Sequence, residues 1–245
     1  MKLENIYGEI IEIEQKTTYI EVDGTERVFT AKGDGDSIEI FMPEAEKIDI
    51  QYATDSIKDL KYRKVIVGII SEEGVLYVPE DAMKLARDYL YSLSIVNGDT
   101  HVILDWNTVD GIAMMKGDMV LYVHEATPED LTNAQKRTIG DRLAISVVML
   151  VDGEYVTQLG GHADIYERTE NTMVYYVDPD GKASLIESDH KDGITHIRVS
   201  HFSIYMYTDS EVSEDLPIIW IALIAIIAIV LVVLLILLVR RRNKD

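Results

Sequence analysis

Ala144 to Leu159 reads AISVVMLVDGEYVTQL. An almost wholly apolar run, Ala144–Val151, meets Asp152-Gly153, and a second run, Glu154–Leu159, follows. Branched and long apolar side chains suit a pleated, buried strand, and an Asp-Gly pair accepts the positive φ angles that a two-residue hairpin turn demands. The stretch predicts two antiparallel strands and places this part of the chain in a β fold.

The same texture continues toward the C-terminus. Thr172–Val177 and Ala183–Glu187 flank Asp178-Pro179-Asp180-Gly181, and Thr195–Val199 and Phe202–Tyr207 follow. Short strands separated by turn residues at this spacing predict a β-sandwich. Asp178, Asp180 and Gly181 could hint at a calcium loop, but the glycine is misplaced and Lys182 stands where a ligand is needed, so the segment reads as a turn. In Phe202–Tyr207, alternation puts Phe202, Ile204 and Met206 on the core side.

Working back toward the N-terminus, Val65–Ile70 and Val75–Val78 are strand-like around Glu73-Gly74, and Pro79 opens a helix to about Tyr91 with Met83, Ala86 and Leu90 on one core-facing side. Leu93–Val96 and His101–Leu104 form a hairpin around Asn97-Gly98, and Asp118–His124 is a strand. Thr127-Pro128-Glu129-Asp130 starts a short helix: a hydroxyl to cap free N–H groups, proline at the first position, and acids at the positive end of the dipole. Gly140 ends it. In the first sixty residues, Tyr19–Val22 and Arg27–Thr30 flank Asp23-Gly24, and Ser37–Met42 and Lys47–Tyr52 alternate as half-buried strands. Gly33-Asp34-Gly35-Asp36 lacks the remaining ligands of a calcium loop and reads as a turn.

Near the end of the chain the pattern breaks. Ile218–Val239, IIWIALIAIIAIVLVVLLILLV, carries no charge and is followed at once by Arg240, Arg241 and Arg242. At about 1.5 Å per residue it makes a helix a little over 30 Å long, the thickness of a bilayer's hydrocarbon core. It predicts a single transmembrane helix, with Trp220 as an interfacial anchor and Pro217 at or just before its first turn. The basic tail, about +3 in charge, places the C-terminus in the cytoplasm and the large domain outside. Met1–Ile10 contains no apolar core of a signal peptide. An outside domain therefore calls for a start upstream of Met1, and the alternative is tail-first insertion with the domain in the cytosol.

Composition narrows the function classes. The 245 residues include 23 Lys+Arg against 43 Asp+Glu, a formal net charge of -20, and setting aside the +3 tail leaves about -23 on the part before the span. Such a surface repels nucleic acid and anionic lipid and favours solubility. With no cysteine, disulfides, zinc-thiolate sites and thiol catalysis are excluded, and the fold rests on its hydrophobic core.

Two segments carry a family resemblance: TPEDLTNAQKRTIGDRLAISVVMLVDGEYVTQLGG (Thr127–Gly161), and the pair VYYVDPDGKASLIES and ITHIRVSHFSIYMY between Val174 and Tyr207. Together they resemble a β-rich module near the C-termini of prokaryotic cell-surface proteins, S-layer-associated or wall-anchored, in which a helix ending "AQK…GDR" leads into a strand pair with "DG" and the closing strand carries "HFS.Y". The resemblance covers about Lys61 to Tyr207 and implies a non-enzymatic module displayed on the cell envelope. S-layer-homology repeats are missing from the chain. Leu216-Pro217 with the span and basic tail is similar to a sortase sorting signal, yet Ile219 and Trp220 stand in place of the threonine and glycine that sortase cuts between, which leaves a retained helix.

His201-Phe202-Ser203 is the one triplet able to carry a reaction. It resembles the self-cleavage site of an autoproteolytic nucleoporin and of some ZU-type β-sandwiches, where a serine hydroxyl attacks the preceding carbonyl with help from histidine. That chemistry needs a strained peptide and a base within hydrogen-bond reach. The plainer expectation is an ordinary strand residue. No G-x-S-x-G, H-E-x-x-H or phosphate-binding glycine loop occurs, and the six histidines show no metal-ligand spacing beyond the unconvincing pair His196 and His201. No metal and no cofactor are expected.

The expected fold is mainly β with a few short helices, a β-sandwich-like ectodomain plus one C-terminal transmembrane helix. Its expected organisation is a small β-rich domain (1–60), a surface module (61–209, α+β over 61–140 and β-sandwich over 141–209), an acidic linker (210–217), the span (218–239) and a basic tail (240–245). The expected function is that of a single-pass cell-surface protein with a structural or adhesive, non-enzymatic role in a prokaryotic envelope. Its partners would be the lipid bilayer, other envelope proteins or surface polymers, and not nucleic acid. The alternatives are a self-cleaving surface protein and a tail-anchored scaffold facing the cytosol.

Overall fold

The Asp152-Gly153 turn is a two-residue hairpin connection. Its residues have φ of 51° and 80°, and Val151 and Glu154 are register partners on either side. The computed structural model describes residues 64–212 throughout and, before them, only strand segments between residues 2 and 42 together with Ile48 and Ile50. Two small ladders lie in the early part: β1 (Lys2–Glu4) with β2 (Ile10–Glu12), and β3 (Ile20–Val22) with β4 (Thr25–Arg27).

The remaining strands form two sheets. The larger has eight strands in the order β17 (Ser188–Lys191), β18 (Ile194–His201), β14 (Gln158–Arg168), β10 (Thr100–Leu104), β9 (Ser92–Asn97), β7 (Lys64–Ile70), β6 (Ser37–Met42) and β5 (Thr30–Gly33). The smaller has β16 (Ala183–Ile186), β15 (Met173–Val177), β19 (Ile204–Thr208), β12 (Ala144–Val151), β11 (Met119–Glu125) and β8 (Val75–Val78), with β13 (Glu154–Tyr155) paired to β12. Pairing is parallel at β6–β7 and β7–β9 and antiparallel elsewhere. Parallel neighbours require a crossover, and β8 and the first helix provide it between β7 and β9.

The mainly β expectation holds, with two sheets and three short helices among the described residues. Strands from before and after residue 60 share the larger sheet, and strands from before and after residue 140 share both. Met1–Ser210 is one compact unit and Glu211–Asp245 another.

One apolar cluster draws on both sheets. Val65, Val67, Leu93, Ile95, Val102, Ile165 and Ile197 of the larger sheet belong to it together with Leu121, Val123, Val147, Met149 and Tyr205 of the smaller. These positions alternate along their strands, as the two-residue period requires. Helix α1 (Glu80–Asp88) starts after Pro79 and adds Ala82, Met83 and Ala86 to the cluster. It stops earlier than its sequence predicts. Leu90, expected on the buried side, has φ of 59° and is exposed, because the chain leaves the helix through a left-handed residue.

Helix α2 (Trp106–Met115), which no expectation covered, adds Val109, Ile112 and Ala113. The predicted helix from Thr127 to Gly140 is two pieces. Pro128–Asp130 is a single 3-10 turn with a Thr127 capping box, and α3 (Asn133–Ile139) begins afresh from Thr132 because Leu131 is extended. The expected strand Glu154–Leu159 divides as well: Glu154–Tyr155 stays with β12, while the chain from Gln158 joins the other sheet.

Among the described residues no helix is long and apolar enough to cross a membrane. The predicted span 218–239, with Trp220 and Arg240, Arg241 and Arg242, lies outside the described residues, as do most of the Gly33–Asp36 turn and most of Lys47–Tyr52. From the latter, Ile48 and Ile50 are buried in the cluster.

Candidate functional site

His201-Phe202-Ser203 forms the corner where the chain passes from one sheet to the other. His201 ends β18 in the larger sheet, Ile204 begins β19 in the smaller, and Phe202 enters the shared core. Ser203 fastens the corner through its backbone, its carbonyl accepting from Val147 N at 3.0 Å. The Tyr205 hydroxyl donates to the His201 carbonyl. The His201 ring packs edge-on against Tyr176, with centroids 4.9 Å apart at 87°, and makes no hydrogen bond to Ser203. Neither Phe202 nor Ser203 has a positive φ. In β19 the inward side differs from the alternation expected from Phe202: Tyr205 and Tyr207 face the shared core, and Ile204 and Met206 are buried outside that cluster. The bend at the corner shifts the phase of the strand relative to Phe202.

A larger constellation lies on the face of the eight-stranded sheet turned away from the core. Strand alternation places His101, Tyr166 and His196 there as register partners on β10, β14 and β18. His196 stacks on Tyr166 at 4.5 Å and 16°, and His101 lies 5.9 Å from the same ring. At one end of this row His101 Nε2 meets Glu39 Oε1 at 2.9 Å, and Ser94 Oγ donates to the same oxygen at 2.7 Å. All three side chains are buried, and His101 Nδ1 has no hydrogen-bond partner among the described residues. Gly68 makes room for this arrangement, since a Cβ there would fall 2.1 Å from Ser94 Oγ.

At the other end Asp164 gathers three cationic or titratable groups. His196 Nε2 lies 2.9 Å from Oδ1, Arg198 donates to both oxygens at 2.8 and 3.3 Å, and His162 Nε2 stands 3.7 Å from Oδ2. Burial opposes ionisation of Asp164, but the hydrogen bonds and charges of His196 and Arg198 hold its carboxyl at about 2. His162 Nδ1 in turn lies 3.3 Å from Asp105.

Asp105 anchors the constellation to the fold. It is the N-cap of α2, its Oδ1 accepting from Thr108 N and from His162 N at 3.0 Å each, and Asn107 Nδ2 donates to Oδ2 at 3.0 Å. Burial works against the carboxylate, yet these hydrogen bonds keep its pKa below the usual range.

The chemistry available here is proton holding and hydrogen bonding. Arg198 already balances the charge of Asp164, the oxygen pair a cation would need, and among the described residues no three His, Asp or Glu side chains are arranged to hold a metal ion. Sequence inspection missed the constellation because its members are spread from Glu39 to Arg198. The one visible signal was His162-Ala163-Asp164, two polar residues at strand spacing just after Gly160-Gly161. No known protein family matches the chain, and no curated protein matches its sequence.

Proposed function

We propose that this chain is a single-pass, membrane-anchored cell-surface protein of a prokaryotic envelope, with a structural or adhesive rather than enzymatic role. The observation that carries the reading is the uncharged run Ile218–Val239 closed by Arg240, Arg241 and Arg242, which fits a bilayer in length and whose basic end favours the cytoplasmic side. The division of the chain at Ser210 and Glu211 supports it, because the sheets form their own unit apart from the anchoring segment. In this reading the two sheets with their common core are a sandwich-like ectodomain of the β-rich module found in prokaryotic surface proteins. Its partners are the lipid bilayer through 218–239 and other envelope proteins or surface polymers through the acidic domain.

A passive role is favoured by the corner at His201-Phe202-Ser203. The imidazole packs on Tyr176 and is not bonded to the serine, so the base that an acyl shift requires is turned elsewhere.

Protease added to intact cells tests the reading. Degradation of the domain, with a protected fragment containing the span, is the expected result. Resistance in intact cells with cleavage after lysis would establish the tail-anchored cytosolic scaffold instead.

A further inference from the structure

Glu167 sits on the core side of β14, in line with Ala163 and Ile165, and is 3 % exposed. Its strand neighbours are Thr100 on β10 and Thr195 on β18. Thr100 Oγ1 donates to Glu167 Oε2 at 2.6 Å, and among the described residues that is the only hydrogen bond its carboxyl group receives. The Thr195 hydroxyl is engaged elsewhere, donating to the Asn171 carbonyl and meeting His190 Nδ1 at 2.9 Å. From the opposite sheet comes Tyr207, fully buried, its hydroxyl without a partner among the described residues.

The charges that bear on Glu167 itself are acidic: Asp99 in the turn before β10 and Glu125 at the end of β11. Arg168, the next residue, alternates to the opposite face of β14 and lies 3.7 Å from Asp99, and Tyr205 and Tyr207 on β19 are held neutral by burial. Among the described residues no lysine or arginine pairs with Glu167. An ionised carboxylate here would have one hydrogen bond, no counter-charge and two like charges nearby, a combination that favours the proton.

We propose that Glu167 is a proton-operated latch between the two sheets: protonated, it lets this end of the core stay dry and closed, and ionised, it opens that end to water. The inference does not depend on where the domain is displayed. The elements released are those that end the core here, tied by Arg168 N to the Asp99 carbonyl and Thr169 N to the Gly193 carbonyl, each 3.0 Å, and by Thr172 N to Asp209 at 3.1 Å. The chain leaves the domain at this same end, after β19. Burial, assisted by the charges of Asp99 and Glu125 and opposed by the Thr100 bond, pushes the carboxyl up to about 7. A carboxyl raised in the closed form and ordinary in the open form makes opening more favourable as pH rises between the two values. The opening equilibrium should grow about tenfold per pH unit from about 5 to 7 and level off above.

Hydrogen–deuterium exchange of the full chain in detergent, corrected for the intrinsic rate at each pH, tests this. Protection in peptides covering 97–102, 165–172 and 204–210 should fall over pH 5 to 7, while the α2 peptide 105–116 stays flat. Glu167→Gln should abolish the slope, and Thr100→Val, which removes the one donor, should move the plateau to higher pH. A flat wild-type series overturns the latch without recourse to any variant. So does a slope shared by the α2 peptide, or one that persists in Glu167→Gln.

Discussion

Replacing Asp105 with alanine should be among the most damaging single changes in the domain, and the structure allows its size to be worked out. The carboxylate is almost buried and is the shared acceptor for two backbone N–H groups, those of Thr108 and His162, at 3.0 Å each. Loss of the N-cap to α2 costs about 1 kcal/mol. Stranding His162 N, which donates to the same carboxylate oxygen, adds about 1–3 kcal/mol. The total is about 3 kcal/mol. Asp105→Asn keeps the Oδ1 acceptor for the two backbone N–H groups but loses the charge and the Oδ2 acceptor of Asn107, so it should cost about 1 kcal/mol.

Urea unfolding followed by far-UV circular dichroism measures both, and the adjacent Trp106 supplies a local fluorescence signal. With a urea slope of about 2–3 kcal/mol/M, the alanine variant should lose roughly 1 M of midpoint and the asparagine variant a third of that. The carboxyl is depressed in the folded state, so its stabilisation is present above the unfolded pKa and lost as pH falls through the folded one. The gap between wild type and Asp105→Asn should therefore close in acid. Equal midpoints for the two variants would refute the argument, because they would show that an acceptor oxygen retained at this position satisfies neither N–H.

Gly68→Ala would force a Cβ to 2.1 Å from Ser94 Oγ and 3.2 Å from the Ser94 carbonyl, and a loss of about 1–3 kcal/mol by chemical denaturation is expected; an unchanged midpoint would show that β7 and β9 can separate freely. Arg198→Ala should raise the Asp164 carboxyl from about 2 toward the ordinary range, read by carboxyl NMR titration, and an unmoved value would assign the depression to His196 alone. Ser203→Ala should change stability by no more than about 1 kcal/mol, and denaturing mass spectrometry of the wild type should give one full-length species; a fragment beginning at Ser203 would make the protein self-cleaving. A chain ended at Glu211 should be soluble and melt cooperatively, since the sheets form their own unit, and an aggregated product would mean that the later segment contributes to the fold.

What the sequence determined by itself is what short-range chemistry controls. Apolar and strand-forming runs marked Val65–Ile70, Asp118–His124 and Ala144–Val151 as strands, and Asp152-Gly153 and Asn97-Gly98 marked hairpins, because φ preference and strand propensity are written in neighbouring residues. Helix α2 was not legible although Asp105 is a proper cap, since Trp106, Met114 and Met115 are apolar yet exposed, so its apolar residues mark no single face, and it follows a strand without a break. Which sheet each strand joins was decided only in three dimensions. Val199 and Tyr205 look like parts of one continuing pattern, yet the turn at Phe202-Ser203 sends them into different sheets. Likewise, the parallel pairing of β6 with β7 depends on which edge is left open once the antiparallel hairpins have closed. The polar constellation was hidden for the same reason. Glu39, His101, Asp164 and His196 are ordinary strand residues in the sequence, and only sheet register sets them side by side on one face.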